Sequence, residues 1–392
     1  MTALFPPGTI GIIGGGQLGR MMIYRAKKLG FRFAVLDGEG APAEPLADVF
    51  IKGSLKDAEA LEQLARVSDL MTYEIEHINT AALEDLNSRG YAMYPSPAVL
   101  RVIQDKLLQK ELFVKTGLPI AAFFAEDKPA TADFTGRKFP LVQKTRREGY
   151  DGRGVKVLRS AADIPLPGPS IFEDMIDIDK ELAVMVARGR DGSLAVFPVT
   201  EMAFNPDHNI CDTVIAPARV DEKTAAAARD IAISVVEALD GVGIFGVELF
   251  LDRQGRVLLN EVAPRPHNSG HYTMEACLTC QFEQHVRALA GLPLGSTALL
   301  GSAVMLNLLG QPDSCGPILI QGYEEALKIP GLSIHLYGKT EARPFRKMGH
   351  FTVCAGTLDE ALEKAEYVRT ILKIGGQCCS DASGKNRTGE AK

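Results

Sequence analysis

Three stretches of this 392-residue chain carry side chains whose types and spacing suit phosphate and metal chemistry. Gly14-Gly15-Gly16-Gln17-Leu18-Gly19 follows an apolar strand-like stretch and opens a segment of helical periodicity, so its backbone N–H groups face a pocket suited to an anion. Asp37 stands eighteen residues beyond Gly19 at the end of the next strand-like segment, where a dinucleotide-binding protein holds a ribose. Alone, this spacing suits an NAD-dependent enzyme, a phosphate-bearing substrate in the same crevice, or a tight structural turn. Lys144 ends another strand-like stretch and leads into Gly149-Tyr150-Asp151-Gly152-Arg153-Gly154. Glycines at that density let a loop close over phosphates, and the lysine neutralises their charge. No G-x-x-x-x-G-K-[ST] occurs, so a nucleotide here would lie under a lid on a sheet. Glu248 and Glu261 stand on the two arms of an apolar hairpin that turns through Asp252 to Gly255. If Leu251 pairs with Arg256, Glu248 faces residue 259 and Glu261 is its diagonal neighbour. Two buried carboxylates repel unless a cation or proton sits between them, and magnesium bridging nucleotide phosphates takes one or two carboxylates, with Asn260 adding an oxygen.

The elements that must position these groups divide the chain. Up to about residue 95, strands alternate with helices as a parallel sheet requires: strands at Thr9 to Ile13, Arg32 to Leu36, Asp69 to Thr72 and Tyr91 to Met93, helices at Gln17 to Leu29, Asp57 to Arg66 and Thr80 to Ser88. Tyr94-Pro95-Ser96-Pro97 breaks the pattern, and an amphipathic helix capped by Ser96 then runs to Thr116, closed by Gly117. Strands dominate from Phe139: to Lys144, then Val155 to Leu158, Ile171 to Asp174, Glu181 to Ala187 and Ser193 to Val199. The helix Glu222 to Leu239 precedes the carboxylate hairpin, Ile244 to Leu251 and Arg256 to Val262, and a smaller α+β piece follows Leu300. Ser380 to Lys392 is polar and reads as a disordered tail.

A net charge of -6, 43 basic against 49 acidic residues, offers no nucleic-acid surface. No basic n-region opens the chain and no run of about 18 apolar residues is uninterrupted, so neither signal peptide nor membrane span is expected. Seven scattered cysteines read as reduced cytosolic thiols, and the pair Cys277 and Cys280 lacks the further ligands of a zinc site.

Together, Gly14 to Arg20, Tyr73-Glu74-Ile75-Glu76, Gln104-Asp105-Lys106, Lys144 to Gly154, Asn260 through His271 with its Pro-Arg-Pro-His-Asn-Ser-Gly-His run, and Arg346-Lys347-Met348-Gly349-His350 resemble, in order, the N5-carboxyaminoimidazole ribonucleotide synthetases, ATP-grasp enzymes of purine biosynthesis. The resemblance implies an α/β and α+β architecture: a Rossmann-like pre-ATP-grasp domain over 1–96, an ATP-grasp domain over 97–300 with a lid at about 119–172, and a small C-terminal domain over 301–379. It implies ATP on Lys106, Lys144, the lid from Gly149 to Val155 (Tyr150, Asp151, Gly152, Arg153 and Gly154 between), the hinge Glu173, Asp174, Met175 and Ile176, then Glu181, Asn260 and Glu261. Magnesium, or manganese in its place, would sit on Glu248 and Glu261. The 5-aminoimidazole ribonucleotide would meet Gln17, Leu18, Glu74, Tyr150, Asp151, Arg153, Asn268, Lys339, Arg346 and Lys347. Arg265 and His267 would hold bicarbonate, and with Asp151 and Lys144 they are the implied catalytic groups. A cytoplasmic homodimer acting on small molecules is implied as well. Two departures stand out: Lys106 replaces the family's usual arginine, and its nucleotide-contacting histidine falls on either Phe204 or His208. The alternatives are another ATP-grasp ligase, such as the formate-dependent glycinamide ribonucleotide transformylase, and the NAD-dependent dehydrogenase that the glycine loop alone suggests.

Overall fold

The structure, a computed structural model, describes residues 3–147, 154–205 and 210–376. The expected tail from Ser380 lies outside them. The first unit is a four-stranded parallel sheet in the order β3-β2-β1-β4, made of β1 (Thr9–Ile13), β2 (Arg32–Asp37), β3 (Val49–Lys52) and β4 (Leu70–Tyr73). Helices α1 (Gln17–Ala26), α2 (Ala58–Arg66) and α3 (Thr80–Ser88) connect and flank it. Local chemistry sets their ends: the Asp57 side chain accepts the Glu59 N–H at the start of α2, and Gly30, at φ 86°, stops the short 3-10 turn that continues α1. The half-buried β3 was not anticipated, and the expected strand Tyr91 to Met93 is only a single bridge, Met71 to Met93.

Past the boundary, the expected continuous helix to Thr116 is two, α4 (Pro97–Ile103) and α5 (Lys106–Lys115). Asp105 causes the break: it caps α5 through the Leu107 N–H, so its own backbone is extended rather than helical. The same carboxylate takes Arg146 Nε at 3.0 Å and Nη2 at 2.7 Å, and the Lys106 N–H donates to the Arg146 carbonyl. Asp105 thereby ties the start of α5 to the end of the lid sheet.

That sheet is antiparallel, ordered β5-β8-β6-β7, with β5 (Phe123–Glu126), β6 (Leu141–Thr145), β7 (Val155–Leu158) and β8 (Ser170–Asp174). Its small core is aromatic, Phe124, Phe134 and Phe172 in contact. The large sheet runs β14-β13-β9-β11-β12-β15-β18-β17. Its strands are β9 (Ile178–Arg188), with β10 (Leu194–Val196) against it, β11 (Thr200–Asn205), β12 (Ile210–Ala216), β13 (Gly243–Asp252), β14 (Val257–Ala263), β15 (Ser302–Leu309), β17 (Leu332–Leu336) and β18 (Lys347–Ala355). Alternation along β9 makes two cores. Leu182, Val184 and Val186 pack against Ala228, Ala232 and Val235 of α6 (Glu222–Leu239), whereas Ala183, Met185 and Ala187 face Tyr272 and α7 (Thr273–Ala276).

The C-terminal piece is not a separate layer, because β12 pairs with β15 and carries the sheet into it. Around it lie β16 (Ile318–Gln321), paired with β19 (Lys373–Gly376), and α9 (Tyr323–Ala326) and α10 (Leu358–Ile371). The first unit docks through Met21, Met22 and Ile23 of α1 onto Phe282, Val286 and Leu289 of α8 (Gln281–Ala290), with Tyr337 in the same core. Strands β5, β11 and β12 were missed by the sequence reading, as was one cysteine: Cys315 is disulfide-bonded, so the expectation of seven thiols does not hold, although Cys211, Cys277, Cys280 and Cys354 are free. Disulfide pairing depends on where the fold brings chain segments together, which spacing does not disclose.

Burial alone would raise the Asp105 carboxyl, but the Arg146 hydrogen bonds and the Leu107 N–H hold it below its ordinary value. A lowered folded-state pKa adds stability above the unfolded value and loses it as pH falls through the folded one. Asp105→Asn is therefore expected to destabilise the protein at pH 7 by about 3 kcal/mol, the cost of stripping one partner from a buried ion pair. Urea unfolding of both proteins checks this, and the difference should shrink as the pH is lowered below 4.

Candidate active site

The hairpin of β13 and β14 is bulged. Leu249 pairs with Leu259 but Glu248 pairs with Glu261, leaving Asn260 as the extra residue. Glu261 is thus directly opposite Glu248 and not diagonal to it, a correction to the expected register. The bulge also allows two consecutive polar side chains, Asn260 and Glu261, to serve one site: Lys144 Nζ lies 2.9 Å from Asn260 Oδ1 and Lys106 Nζ lies 3.0 Å from Glu261 Oε2. Lys106, Gln109, Lys110, Lys144, Ile171, Asn260 and Glu261 line one cavity between α5, the lid sheet and the hairpin.

The two carboxylates are electrostatically unequal. Burial, then the charges of Glu261 and Glu181, push the Glu248 carboxyl up, while Lys106 foremost holds Glu261 down. Burial pushes nearby Glu181 up to about 7. His267 Nε2 is 3.3 Å from Glu248 Oε1. Its Nδ1 accepts the Ser269 backbone N–H at 3.3 Å, so the neutral ring carries its proton on Nε2, toward Glu248. Among the described residues, no three His, Cys, Asp or Glu side chains gather into a closed metal site. A facing carboxylate pair open on one side fits magnesium, which keeps waters and substrate phosphates in its remaining positions.

The glycine loop has a different use from the one its pattern suggests. Glu74, at the end of β4, accepts the N–H of Gly19 at 2.6 Å and that of Gly16, and Asp37 accepts the N–H of Gly15 at 2.6 Å. The N–H groups of Gly15, Gly16 and Gly19 are thus taken by the protein's own carboxylates, where a dinucleotide's pyrophosphate would sit. Gly14, at φ 98°, and Gly16 are needed because a Cβ at either would lie 2.7 Å and 2.5 Å from the Glu74 side chain. This geometry speaks against the dehydrogenase alternative.

Arg265 Nε bonds Glu76 Oε1 at 2.8 Å and its charge reaches Glu74, so the Pro-Arg-Pro-His segment is held against the first domain. Lys339 Nζ bonds Gln17 Oε1 at 3.2 Å and the Lys347 carbonyl at 2.5 Å, joining the glycine loop to the C-terminal piece.

Similarity to known proteins agrees with this layout. Sequence profiles match over residues 8–104 for the ribonucleotide synthetase preATP-grasp domain, 111–282 for the ATP-grasp domain and 303–364 for the phosphoribosylaminoimidazole carboxylase C-terminal domain. An N5-carboxyaminoimidazole ribonucleotide synthase of Synechococcus elongatus is 40% identical over 94% of this chain and 95% of its own. The chain belongs to that family. The crystal structure of the Thermotoga maritima synthetase superposes with a TM-score of 0.87 at 50% identity, covering 94% of this chain and 100% of the other. An Aspergillus clavatus enzyme, solved with ADP and 5-aminoimidazole ribonucleotide, gives 0.84 at 36% identity over 93% and 98%. The family assignment excludes the dehydrogenase alternative and also sets aside the formyl-transferring one.

Within this synthetase frame, most of the expected residues converge. Lys106, Lys144, Asn260 and Glu261 line the cavity, Glu248 faces Glu261 across the hairpin, the charge of Glu181 reaches Glu248, and Gln17, Glu74, Lys339 and Lys347 lie at the interdomain side. Leu18 is buried in the α1 core. Arg346 is half-buried and donates to the Glu341 carbonyl. Asn268 and Asn307 exchange amide hydrogen bonds of 2.9 and 2.8 Å, so its side chain is engaged within the protein. In the hinge, Asp174 and Met175 are exposed and Ile176 half-buried, whereas the Glu173 side chain turns inward. Gly154 and Val155 resume the described chain in the lid; Gly149, Tyr150, Asp151, Gly152, Arg153 and His208 lie outside the described residues. Phe204, on β11, is half-buried. Two residues escaped the sequence reading as individual site groups. Glu76 pairs with Arg265 and stood inside the quoted Tyr73 to Glu76 motif; Lys110 contacts Glu173, and its signal was helical spacing, one turn after Lys106 on the same face.

Because Glu261 faces both Glu248 and Lys106, Glu261→Gln should cut ATP turnover by about 100-fold or more, the scale expected if that carboxylate holds a magnesium ion at the transferring phosphoryl group. ADP release at saturating magnesium, with far-ultraviolet circular dichroism to confirm folding, measures it.

Proposed function

We propose that this enzyme carboxylates the exocyclic amine of 5-aminoimidazole ribonucleotide, consuming ATP and bicarbonate and releasing ADP and phosphate. The observation that carries the reading is the half-buried Glu248–Glu261 pair, with Lys106 on Glu261, His267 on Glu248, Lys144 on the neighbouring Asn260 and Arg265 two residues before His267, within the field of Glu74. A phosphate-handling site and the interdomain ribonucleotide side are thereby contiguous. Bicarbonate oxygen attacks the γ-phosphorus, ADP leaves, and carboxyphosphate forms; the ribonucleotide amine then attacks its carboxyl carbon, inorganic phosphate departs, and the amine loses a proton. Glu248 and Glu261 would hold magnesium, which when bound supplies charge neutralisation on the phosphates.

This chain's own groups do the rest. Lys144 and Lys106 place positive charge at the triphosphate, and Lys106, a point charge where an arginine fork is usual, gives up bidentate geometry but keeps its pairing with Glu261. Glu181 and the hinge Glu173 to Ile176 hold the nucleoside, and the lid, Gly149 to Val155, excludes water from carboxyphosphate, a mixed anhydride that hydrolyses readily. Arg265 and His267 seat bicarbonate, with Glu76 fixing the guanidinium. Gln17, Leu18, Glu74, Asn268, Lys339, Arg346 and Lys347, with Tyr150 and Arg153 of the lid, hold the ribonucleotide, and Asp151 accepts the amine proton. No described helix is long and apolar enough to cross a membrane. The reading places the enzyme in the cytoplasm as a homodimer, which sedimentation at micromolar concentration tests.

Transfer of oxygen-18 from labelled bicarbonate into inorganic phosphate separates the half-reactions. Arg265→Ala and His267→Ala should each lower that transfer by about 100-fold, the scale of losing one stabilising group at developing charge. Asp151→Asn should retain ATP binding while losing carboxylated product. Normal isotope transfer in the first two variants would remove them from the bicarbonate seat.

A further inference from the structure

The reading above uses Lys144 as the cation at the triphosphate, yet Lys144 Nζ lies 2.7 Å from Glu173 Oε2. The Glu173 side chain is only 5% exposed, so water screens that pair poorly. A lysine whose charge is matched by a buried carboxylate attracts phosphate weakly. The other oxygen of the same carboxylate, Oε1, is 2.6 Å from Lys110 Nζ, whose side chain is also 5% exposed. Lys110 comes from the buried face of α5, one turn after Lys106, and its Nζ is 3.3 Å from the Asn260 carbonyl oxygen. One carboxylate therefore serves two ammonium groups, and the trio carries one net positive charge.

We propose that Lys110 is a positioning residue for phosphate binding: by neutralising Glu173 it leaves the charge of Lys144 to the triphosphate. The inference rests on the reading of Lys144 as the phosphate lysine. Geometry supports the division of labour. An ammonium has three N–H donors; Glu173 Oε2 and Asn260 Oδ1, at 2.7 and 2.9 Å, use two on Lys144 and leave one for a phosphate oxygen. Glu173 and Asn260 hold that nitrogen in place, and Lys110 touches both of them. Because β8 carries Glu173 to the hinge, the same contact also couples the nucleoside end of the site to its phosphate end.

Lys110→Met, Glu173→Gln and their double variant test this with magnesium-ATP and 5-aminoimidazole ribonucleotide as the probes. Lys110→Met should weaken ATP binding by about tenfold or more, since it leaves Lys144 as the sole counter-ion of a buried carboxylate. The Michaelis constant for the ribonucleotide should stay within about twofold, because the contact lies at the phosphate side. Adding Glu173→Gln should raise ATP affinity above that of Lys110→Met, to within about threefold of Glu173→Gln alone, as the surplus carboxylate is gone, and Lys110→Arg should retain wild-type affinity. Normal ATP binding in Lys110→Met, or a double variant no better than Lys110→Met, overturns the proposal. If Lys110→Met alone does not fold, the double variant is compared with Glu173→Gln: matched ATP affinities support the proposal and a tenfold gap overturns it. Lys144→Met separates the two readings. Unchanged ATP binding there would remove Lys144 from the phosphate site, whereas weakened binding beside an unaffected Lys110→Met would overturn only the role of Lys110.

Discussion

Glu248 and Glu261 face each other across two buried strands, and like charges in that position repel strongly unless cations or protons intervene. Much of the surrounding structure answers this constraint. Lys106 reaches Glu261 from α5, His267 reaches Glu248 from the loop after β14, and Glu248 moves its titration upward. Helix α5 begins where it does because Asp105 breaks the preceding helix and locks to Arg146 at the end of the lid sheet. The lysine that balances Glu261 and the strand that delivers Lys144 are thus fixed by one anchor.

The first domain contributes in the opposite sense from its glycine pattern. Glu74 takes two of the loop's N–H groups internally, and the domain presents Gln17 and Glu76 across the interface. The apolar contact of α1 with α8 makes this interface part of a core rather than a loose joint. Arg265 and Lys339 can then be positioned by partners from another domain, and a site at the junction of three chain segments keeps its geometry.

Cation placement follows the same logic. Lys106, Lys110 and Lys144 enter from two elements; Lys106 meets the half-buried Glu261, whereas Lys110 and Lys144 share Glu173, whose burial makes the pairing obligatory. Buried charge that is paired with an excess of one ammonium makes a pocket suited to polyanions, which a strictly balanced network would not be.

The sequence by itself determined the family, the helices Thr80–Ser88 and Glu222–Leu239 and the strand Val155–Leu158, because those features rest on local periodicity, caps and a contiguous motif, and it singled out Lys106, Lys144, Asn260 and Glu261, which the fold brings to one cavity. The tertiary structure alone decided the bulge that sets Glu248 opposite Glu261, since one inserted residue changes register without changing the apolar pattern. It alone decided that the glycine loop is capped by Glu74, a contact across 55 residues, and that Glu173 turns inward to Lys110. Edge and connecting strands such as β3 and β12 were also invisible, because their neighbours in the sheet, not their own sequence, make them strands.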